Sequence, residues 1–459
     1  MSLLRSWPLL CVVLLPAWQA AASIGGSPGI VKPLPKVDPP IECRPPVKVD
    51  LVAQEAVPAV GEPALTLGDL QQLALAHHPA IGRADALLDA AHGRWVQAGL
   101  RKNPVAGYEA TDIGEGGSAG KQGGFVSQEF VTAHKRQLAR EVVQRAIEQR
   151  QHEREVVRRR VLGDVQARYL EAVFAQREFD LLSQLGTLTA REVQLLERLR
   201  EAQEASTLDV LAVQRVHHGV QLRRQQAEFR RLTSWRKLAA VVGVPHLART
   251  TLALPPADRV APDWDAVRAR LLAESPQLAA AIAARQRAGW QLELEYARRR
   301  PNYEVTAGVQ NDTLVQETLA NVAIGVPLPL FDRNQGAICE AEAQVAAADS
   351  DVDRLQMQLQ QQLAVAFGAW LDAHRRTEYY DQHILPNLEE SVKLVERAFQ
   401  EKQLDFLTVV RTQRELIRTR LDQLAAQEQA QAALAQLDNL LLSGSLELAE
   451  PSTVPSLRD

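Results

Sequence analysis

After its N-terminal segment the 459-residue chain has no apolar run long enough for a transmembrane helix, which takes about 18 consecutive apolar residues or more. Whatever part of this chain sits in a bilayer must therefore sit there as strands. Cysteine is scarce, and three residues do not make a disulfide framework. Cys11 lies in the N-terminal segment, Cys43 in a proline-rich stretch and Cys339 in a predicted helix. Neither Cys11, after Pro8-Leu9-Leu10, nor Cys43, after Pro40-Ile41-Glu42, follows the small-residue site that lipidation needs, so no lipid anchor is expected. Charge of one sign is missing too. With 52 Lys+Arg against 56 Asp+Glu, and no basic clusters interleaved with aromatics, nothing argues for a nucleic-acid partner.

Catalytic patterns are equally thin. "GEGGSAGKQ" invites a phosphate-loop reading, but that loop needs Gly at 115 and Ser or Thr at 122, where Glu115 and Gln122 stand. "SAGK" (118–121) fits a Ser-x-x-Lys pattern and so does "SWRK" (234–237), with no companion motifs. The neighbours His77-His78 and His217-His218 point about 100° apart on a helix, unlike a chelating i, i+4 pair. Trp95, Trp235, Trp264, Trp290 and Trp370 read as packing residues, and "EREVVRRR" (153–160) as a solvated helix face. No catalytic, cofactor-binding or metal residue is assigned, and no enzyme is expected.

What is present begins with a targeting signal. Arg5, the apolar "PLLCVVLLPAW" and the small residues Ala20-Ala21-Ala22 make residues 1–22 a signal peptide. Residues 23–64, rich in Pro, Val and Lys, form an extended segment without periodicity.

Beyond it the chain states the same pattern twice. Pro79 and Pro104 are 25 residues apart, as are Pro276 and Pro301, and both pairs align at one offset of 197. The first proline of each pair marks a helix start. The second follows Arg101-Lys102 or Arg298-Arg299-Arg300 and opens a strand-like run. "FVTAHKR" (130–136) then matches "LFDRNQG" (330–336), "ARYLEA" (167–172) matches "GAWLDA" (368–373), and "TLDVLAV" (207–213) matches "QLDFLTV" (403–409). The first repeat covers 65–244 and the second 264–443, with a four-proline linker at 245–263 and a tail at 444–459.

Each repeat reads helix, helix, strand, turn, strand, long helix, hinge, long helix. Strands are expected at about 104–112, 123–131, 302–310 and 321–331. The third alternates cleanly, Tyr303, Val305, Ala307 and Val309 against Asn302, Glu304, Thr306 and Gln310. No proline interrupts 136–204, a run that as one helix would be roughly 100 Å long. It is expected to turn back and continue to about Val241. In the second repeat the pair is expected at 337–402, with a break at Pro386, and at 405–442. Four strands cannot close a membrane barrel alone, and lipid tolerates no open sheet edge. If the strands cross a bilayer, several chains share one barrel.

The duplicated halves, the two proline pairs, the joint "VPLPLFDRNQG" and the hairpins at "LDVL" and "LDFL" resemble the TolC-like outer-membrane efflux family over about 65–443. "SQEFVTAHKRQLAR" further resembles its heavy-metal (cobalt-zinc-cadmium) resistance branch, with His134 standing where members carry Gly. The resemblance implies a mainly α fold with a small β part. In it a long α-helical tunnel in the periplasm joins a trimeric twelve-stranded outer-membrane β-barrel, four strands per chain. It implies a passive efflux duct held in outer-membrane lipid as a homotrimer. Its partners would be a periplasmic adaptor and, through it, a proton-driven inner-membrane pump. Acidic residues ring the tunnel constriction in the family, and by motif Asp209 and Asp405 carry this over. Threefold repetition would crowd those like charges and raise some of their pKa values. Ser206, Leu208, Lys402 and Leu404 are the hairpin-tip candidates for adaptor docking. Two features depart from the family: Thr408 replaces a second acid, and no glycine occurs in 187–218 or 369–443 to turn the tips. A helix-capping role for the two aspartates is the alternative reading. The competing function is a periplasmic coiled-coil adaptor or scaffold, which would have no barrel strands.

Overall fold

The computed structural model describes residues 65–114, 120–253, 261–404 and 406–447. The expected signal peptide and extended segment, the centre of the glycine-rich loop, part of the linker, Asp405 and the end of the tail lie outside them.

Local chemistry explains where each helix starts. Helix α1 (Leu67–His77) opens with a capping box, Thr66 and Asp69 bonding each other's backbone N–H. Helices α2 (Pro79–Gly99) and α6 (Pro276–Arg298) both open with Pro in the first turn, where its missing N–H costs nothing. The residue before each proline caps the helix: His78 Nδ1 accepts from Ala80 N–H and Ser275 Oγ from Leu278 N–H. Asp263 caps the short α5 (Trp264–Glu274). The long helices are α3 (Lys135–Glu201), which returns as α4 (Thr207–Val242), and α7 (Gln335–Tyr379), which continues as α8 (Leu385–Gln400) and returns as α9 (Phe406–Asp438).

Between α7 and α8 the helix does not break at Pro386. It widens instead into a π segment, Tyr380–Ile384, just before that proline. Pro386 has no N–H for the carbonyl four residues back and its ring crowds that position, so a locally wider turn relieves both defects.

Four strands form one antiparallel sheet in the order β1-β2-β3-β4: β1 (Val105–Thr111), β2 (Lys121–Phe130), β3 (Tyr303–Asp312) and β4 (Glu317–Gly325). The fourth strand is a correction to the expected 321–331. It starts four residues earlier, because the hairpin turn is only 313–316, and it stops at Gly325. Pro327 and Pro329 cannot donate to a ladder, so the apolar alternation of 326–331 does not continue the strand.

Cross-strand register sorts the side chains into two faces. One carries Tyr108, Val126, Val305, Val309, Val322 and Ile324, with Phe130 and Tyr303 stacked at 5.1 Å at the helix-proximal end. The other carries Glu109, Ser127, Glu304, Thr306, Gln310 and Asn321. Here Thr306 Oγ1 donates to Ser127 Oγ (3.2 Å) and Gln310 Nε2 to Glu109 Oε2 (3.1 Å). Among the described residues, the edges β1 and β4 each have one side without a strand partner.

Strands pass into helices through left-handed residues. His134 (φ 56°) and Asn334 (φ 60°) occupy the N-cap positions of α3 and α7. Lys135 Nζ donates to Asn302 Oδ1 (2.7 Å) and Asn334 Nδ2 to Glu295 Oε2 (2.8 Å), tying one joint to the α6–β3 connection and the other to the last turns of α6.

Two larger apolar cores, beside two smaller clusters among the described residues, hold most of the helices. The first gathers α1, α3 and α4 around Leu70, Val161, Val165, Tyr169, Trp235 and Leu238; Trp235 Nε1 donates to Leu247 O (3.1 Å) and Tyr169 Oη to Ala253 O. The second gathers α5, α6, α7 and α9 around Leu271, Leu278, Leu359, Leu363, Trp370 and Leu437, with Trp264 edge-on to Phe367. Arg230 of α4 crosses between them to Glu178 on α3 (2.5 Å) and Glu428 on α9 (2.6 Å).

Candidate functional site at the helical hairpin tips

The α3–α4 tip turns without glycine by placing Gln203 at φ 63°. Glu204 N–H donates to Leu199 O (2.7 Å) and Gln203 N–H to Arg200 O (3.0 Å), a Schellman pair that satisfies the last carbonyls of α3. The α8–α9 tip repeats the device with Lys402 at φ 58°, Gln403 N–H to Ala398 O (2.8 Å) and Lys402 N–H to Phe399 O (3.0 Å). A non-glycine residue in this region carries strain, which the two carbonyl bonds offset.

Asp209 belongs to the start of α4. Ser206 is the N-cap, its Oγ accepting from Asp209 N–H, and the Asp209 carboxylate accepts from Ser206 N–H (3.1 Å) and Oγ (2.8 Å). These bonds hold the exposed Asp209 carboxyl below its ordinary pKa, with a smaller contribution from the charge of Arg411 on α9. Within the chain the shift is thus opposite to the rise expected from like-charge crowding. The capping role is real, through the third helical residue rather than the cap itself. Asp405 lies outside the described residues; α9 begins at the next position, Phe406.

Leu208 is 77 % exposed beside the buried Val210, and Leu404 is partly exposed at the other tip. Ser206, Leu208 and Asp209 therefore share one tip, and Lys402 and Leu404 the other.

Sequence reasoning missed Glu192. It is buried on α3, 3.8 Å from Arg414 Nη1 on α9, and its Oε2 has no hydrogen-bond partner. Burial pushes its pKa up, opposed by the charges of Arg414 and Arg411. The signal was available: Leu182, Leu185, Thr189, Glu192 and Leu196 follow each other at helical 3–4 spacing, and Glu192 is the acid in an otherwise uncharged buried row. His217 Nδ1 lies 2.9 Å from Thr189 Oγ1 in the same hairpin.

Comparison with known proteins now bears on the arrangement. Residues 267–441 match the family model "Outer membrane efflux protein". The chain resembles outer membrane efflux proteins over that stretch. It is 25 % identical over 290 residues to the cobalt-zinc-cadmium resistance protein CzcC of Cupriavidus metallidurans, covering 61 % of this chain and 68 % of that one. Its fold is similar to that of CusC, with a TM-score of 0.67 at 14 % identity over 82 % of this chain and 92 % of that chain. The open-state MtrE channel of Neisseria gonorrhoeae is similar too, with a TM-score of 0.67 at 16 % identity over 83 % and 89 %. VceC of Vibrio cholerae gives 0.65 at 18 % identity over 82 % and 96 %.

The helices and the sheet thus have the fold of solved outer-membrane channels. The adaptor reading has no place for the four-stranded sheet.

Proposed function

We propose that three copies of the chain close one twelve-stranded barrel through which a periplasmic adaptor and a proton-driven inner-membrane pump export their cargo. The observation that carries this reading is the sheet. It has one apolar face, a stacked aromatic pair at one end, and two edges, β1 and β4, open among the described residues. Lipid leaves no edge unpaired, so β4 of one copy pairs with β1 of the next. The order α1-α2-β1-β2-α3-α4 returns as α5-α6-β3-β4-α7/α8-α9, with Pro79 and Pro276 in corresponding first turns, which supports an internal duplication. The adaptor would meet Ser206, Leu208, Lys402 and Leu404 at the tips, and Asp209 and Asp405 would line the constriction. Similarity to a cobalt-zinc-cadmium resistance protein favours divalent metal cations as cargo.

The test is the mass of the detergent-extracted protein in solution together with negative-stain images. A threefold cylinder of three chains is the expected result; a monomer or dimer would sink the shared barrel. Loss of zinc, cobalt or cadmium tolerance on deletion of the gene tests the cargo, and unchanged tolerance to all three would remove metals.

A further inference from the structure

Three glycines on the polar face of the sheet each lie under a side chain from the next strand. Gly107 of β1 faces Phe125, and an added Cβ would stand 2.5 Å from the ring. Gly308 of β3 faces Asn321 of β4, whose Oδ1 occupies the place of a Cβ. At Gly123 of β2 the β3 backbone comes closest, Val309 O 2.0 Å from where a Cβ would be, with Gln310 Cγ at 2.8 Å on its way to donate to Glu109. The apolar face differs: the space beside Gly124 holds only the Gly107 carbonyl oxygen, at 3.6 Å.

Gly107, Phe125, Gly308 and Asn321 are also successive partners in one row across all four strands. Phe125 is the aromatic residue on this polar face. A strand projects its side chains away from the sheet, so an aromatic there would stand into the barrel. A glycine directly opposite removes the neighbouring side chain and lets the ring fold down onto backbone.

We propose that these glycine beds keep the bore of the barrel open, with Gly107 as the bed that holds Phe125 out of the path of what passes. The inference rests on the shared-barrel reading, in which the apolar face meets lipid and the polar face lines the lumen. By laying Phe125, Gln310 and Asn321 along the wall, the glycines keep three copies of an aromatic ring out of the lumen at one height.

The experiment is polymer exclusion in a planar bilayer, with polyethylene glycols of graded size added on the barrel side. Gly107→Val fills the bed and lifts the ring, so the largest polymer that enters becomes smaller. Phe125→Ala alone leaves the cut-off unchanged, because the ring already lies flat. The double variant Gly107→Val/Phe125→Ala recovers the wild-type cut-off. A Gly107→Val channel of three chains with the wild-type cut-off overturns the inference. Should Gly107→Val fail to assemble, Gly107→Ala with and without Phe125→Ala asks the same question, and equal cut-offs again overturn it. Wild-type protein that forms neither trimers nor channels would overturn the barrel reading itself, which the solution mass detects separately.

Discussion

His134 and Asn334 show what one backbone angle demands of a residue. Both sit at the N-cap of a long helix at φ near 60°, and neither side chain caps its helix. Both residue types are found in this region more often than most, but each still carries a Cβ penalty of about 1 kcal/mol or more. The motif alignment of 130–136 with 330–336 marked the position, and the family's glycine there has its reason in this angle. His134→Gly should raise stability by roughly 0.5 kcal/mol, the relief of strain less glycine's extra chain entropy. Asn334→Gly should lower it instead, because the side chain's bonds to the buried Glu295 are lost. Thermal unfolding of the two variants in one detergent checks this; equal shifts would remove the strain argument.

His78 and Ser275 do one job with different chemistry. Each caps a helix that begins with proline, but the His78 acceptor is a ring nitrogen that protonation removes. His78 is buried, its Nε2 has no hydrogen-bond partner, and burial lowers its pKa from 6.5, opposed by the charge of Asp164. A lowered value means the unfolded chain takes up the proton first. The stabilisation is therefore fully present above pH 6.5 and is lost as pH falls towards the folded-state value. His78→Ser keeps a cap and discards the titration, so its melting temperature should fall less between pH 7.5 and 5 than that of the wild type. Parallel pH profiles would count against this account.

At the scale of elements, contacts over long sequence distances decide what period alone does not show. The lengths of α3 and α4 were legible, because nothing in 136–204 stops a helix and Ser206 and Gly243 bracket the return. The end of β4 was not legible, since 326–331 alternates like a strand and only the prolines reveal that it cannot pair. Nor was the approach of the second half to the middle of α3. Buried Gly163 meets Leu442 O, Asp164 accepts from Gly444 N–H (3.1 Å) and Ser445 N–H (2.6 Å), and Asn439 Nδ2 reaches Gln166 (2.8 Å). A glycine inside a helix usually costs stability relative to Ala. Here a Cβ would stand 2.8 Å from the Leu442 carbonyl oxygen, and backbone must move to admit it. Gly163→Ala should thus destabilise by about 1–3 kcal/mol, against the propensity trend. Gly219, on α4 with open space around its Cβ position, is the control in which Ala should stabilise. Chemical unfolding of both variants decides it: a stabilised Gly163→Ala would mean the close approach does not constrain the chain.

For the whole molecule, the capping chemistry of one residue bears on how an assembled duct should treat ions. The site was partly legible in the sequence. "LDVL" placed Asp209 at a hairpin, but only the geometry shows its carboxylate bound to Ser206, and no motif pointed to Glu192. Because the bonds to Ser206 lower the Asp209 pKa, its negative charge persists below the ordinary carboxylate value of 3.8. In a threefold assembly this puts a fixed ring of charge at the tips, joined by whatever Asp405 adds. Cation preference should then hold from neutral pH down to below 3.8 and disappear only as Asp209 protonates. Crowding of like charges would instead raise the value and erase selectivity at milder acidity. Reversal potentials in a potassium chloride gradient, taken from pH 7 to 3, separate the two. The Asp209→Asn/Asp405→Asn double variant should show lower cation preference at every pH above that transition. Unchanged reversal potentials in that variant would leave the aspartates as helix caps alone, and ion selection would have to come from the barrel or the tunnel wall.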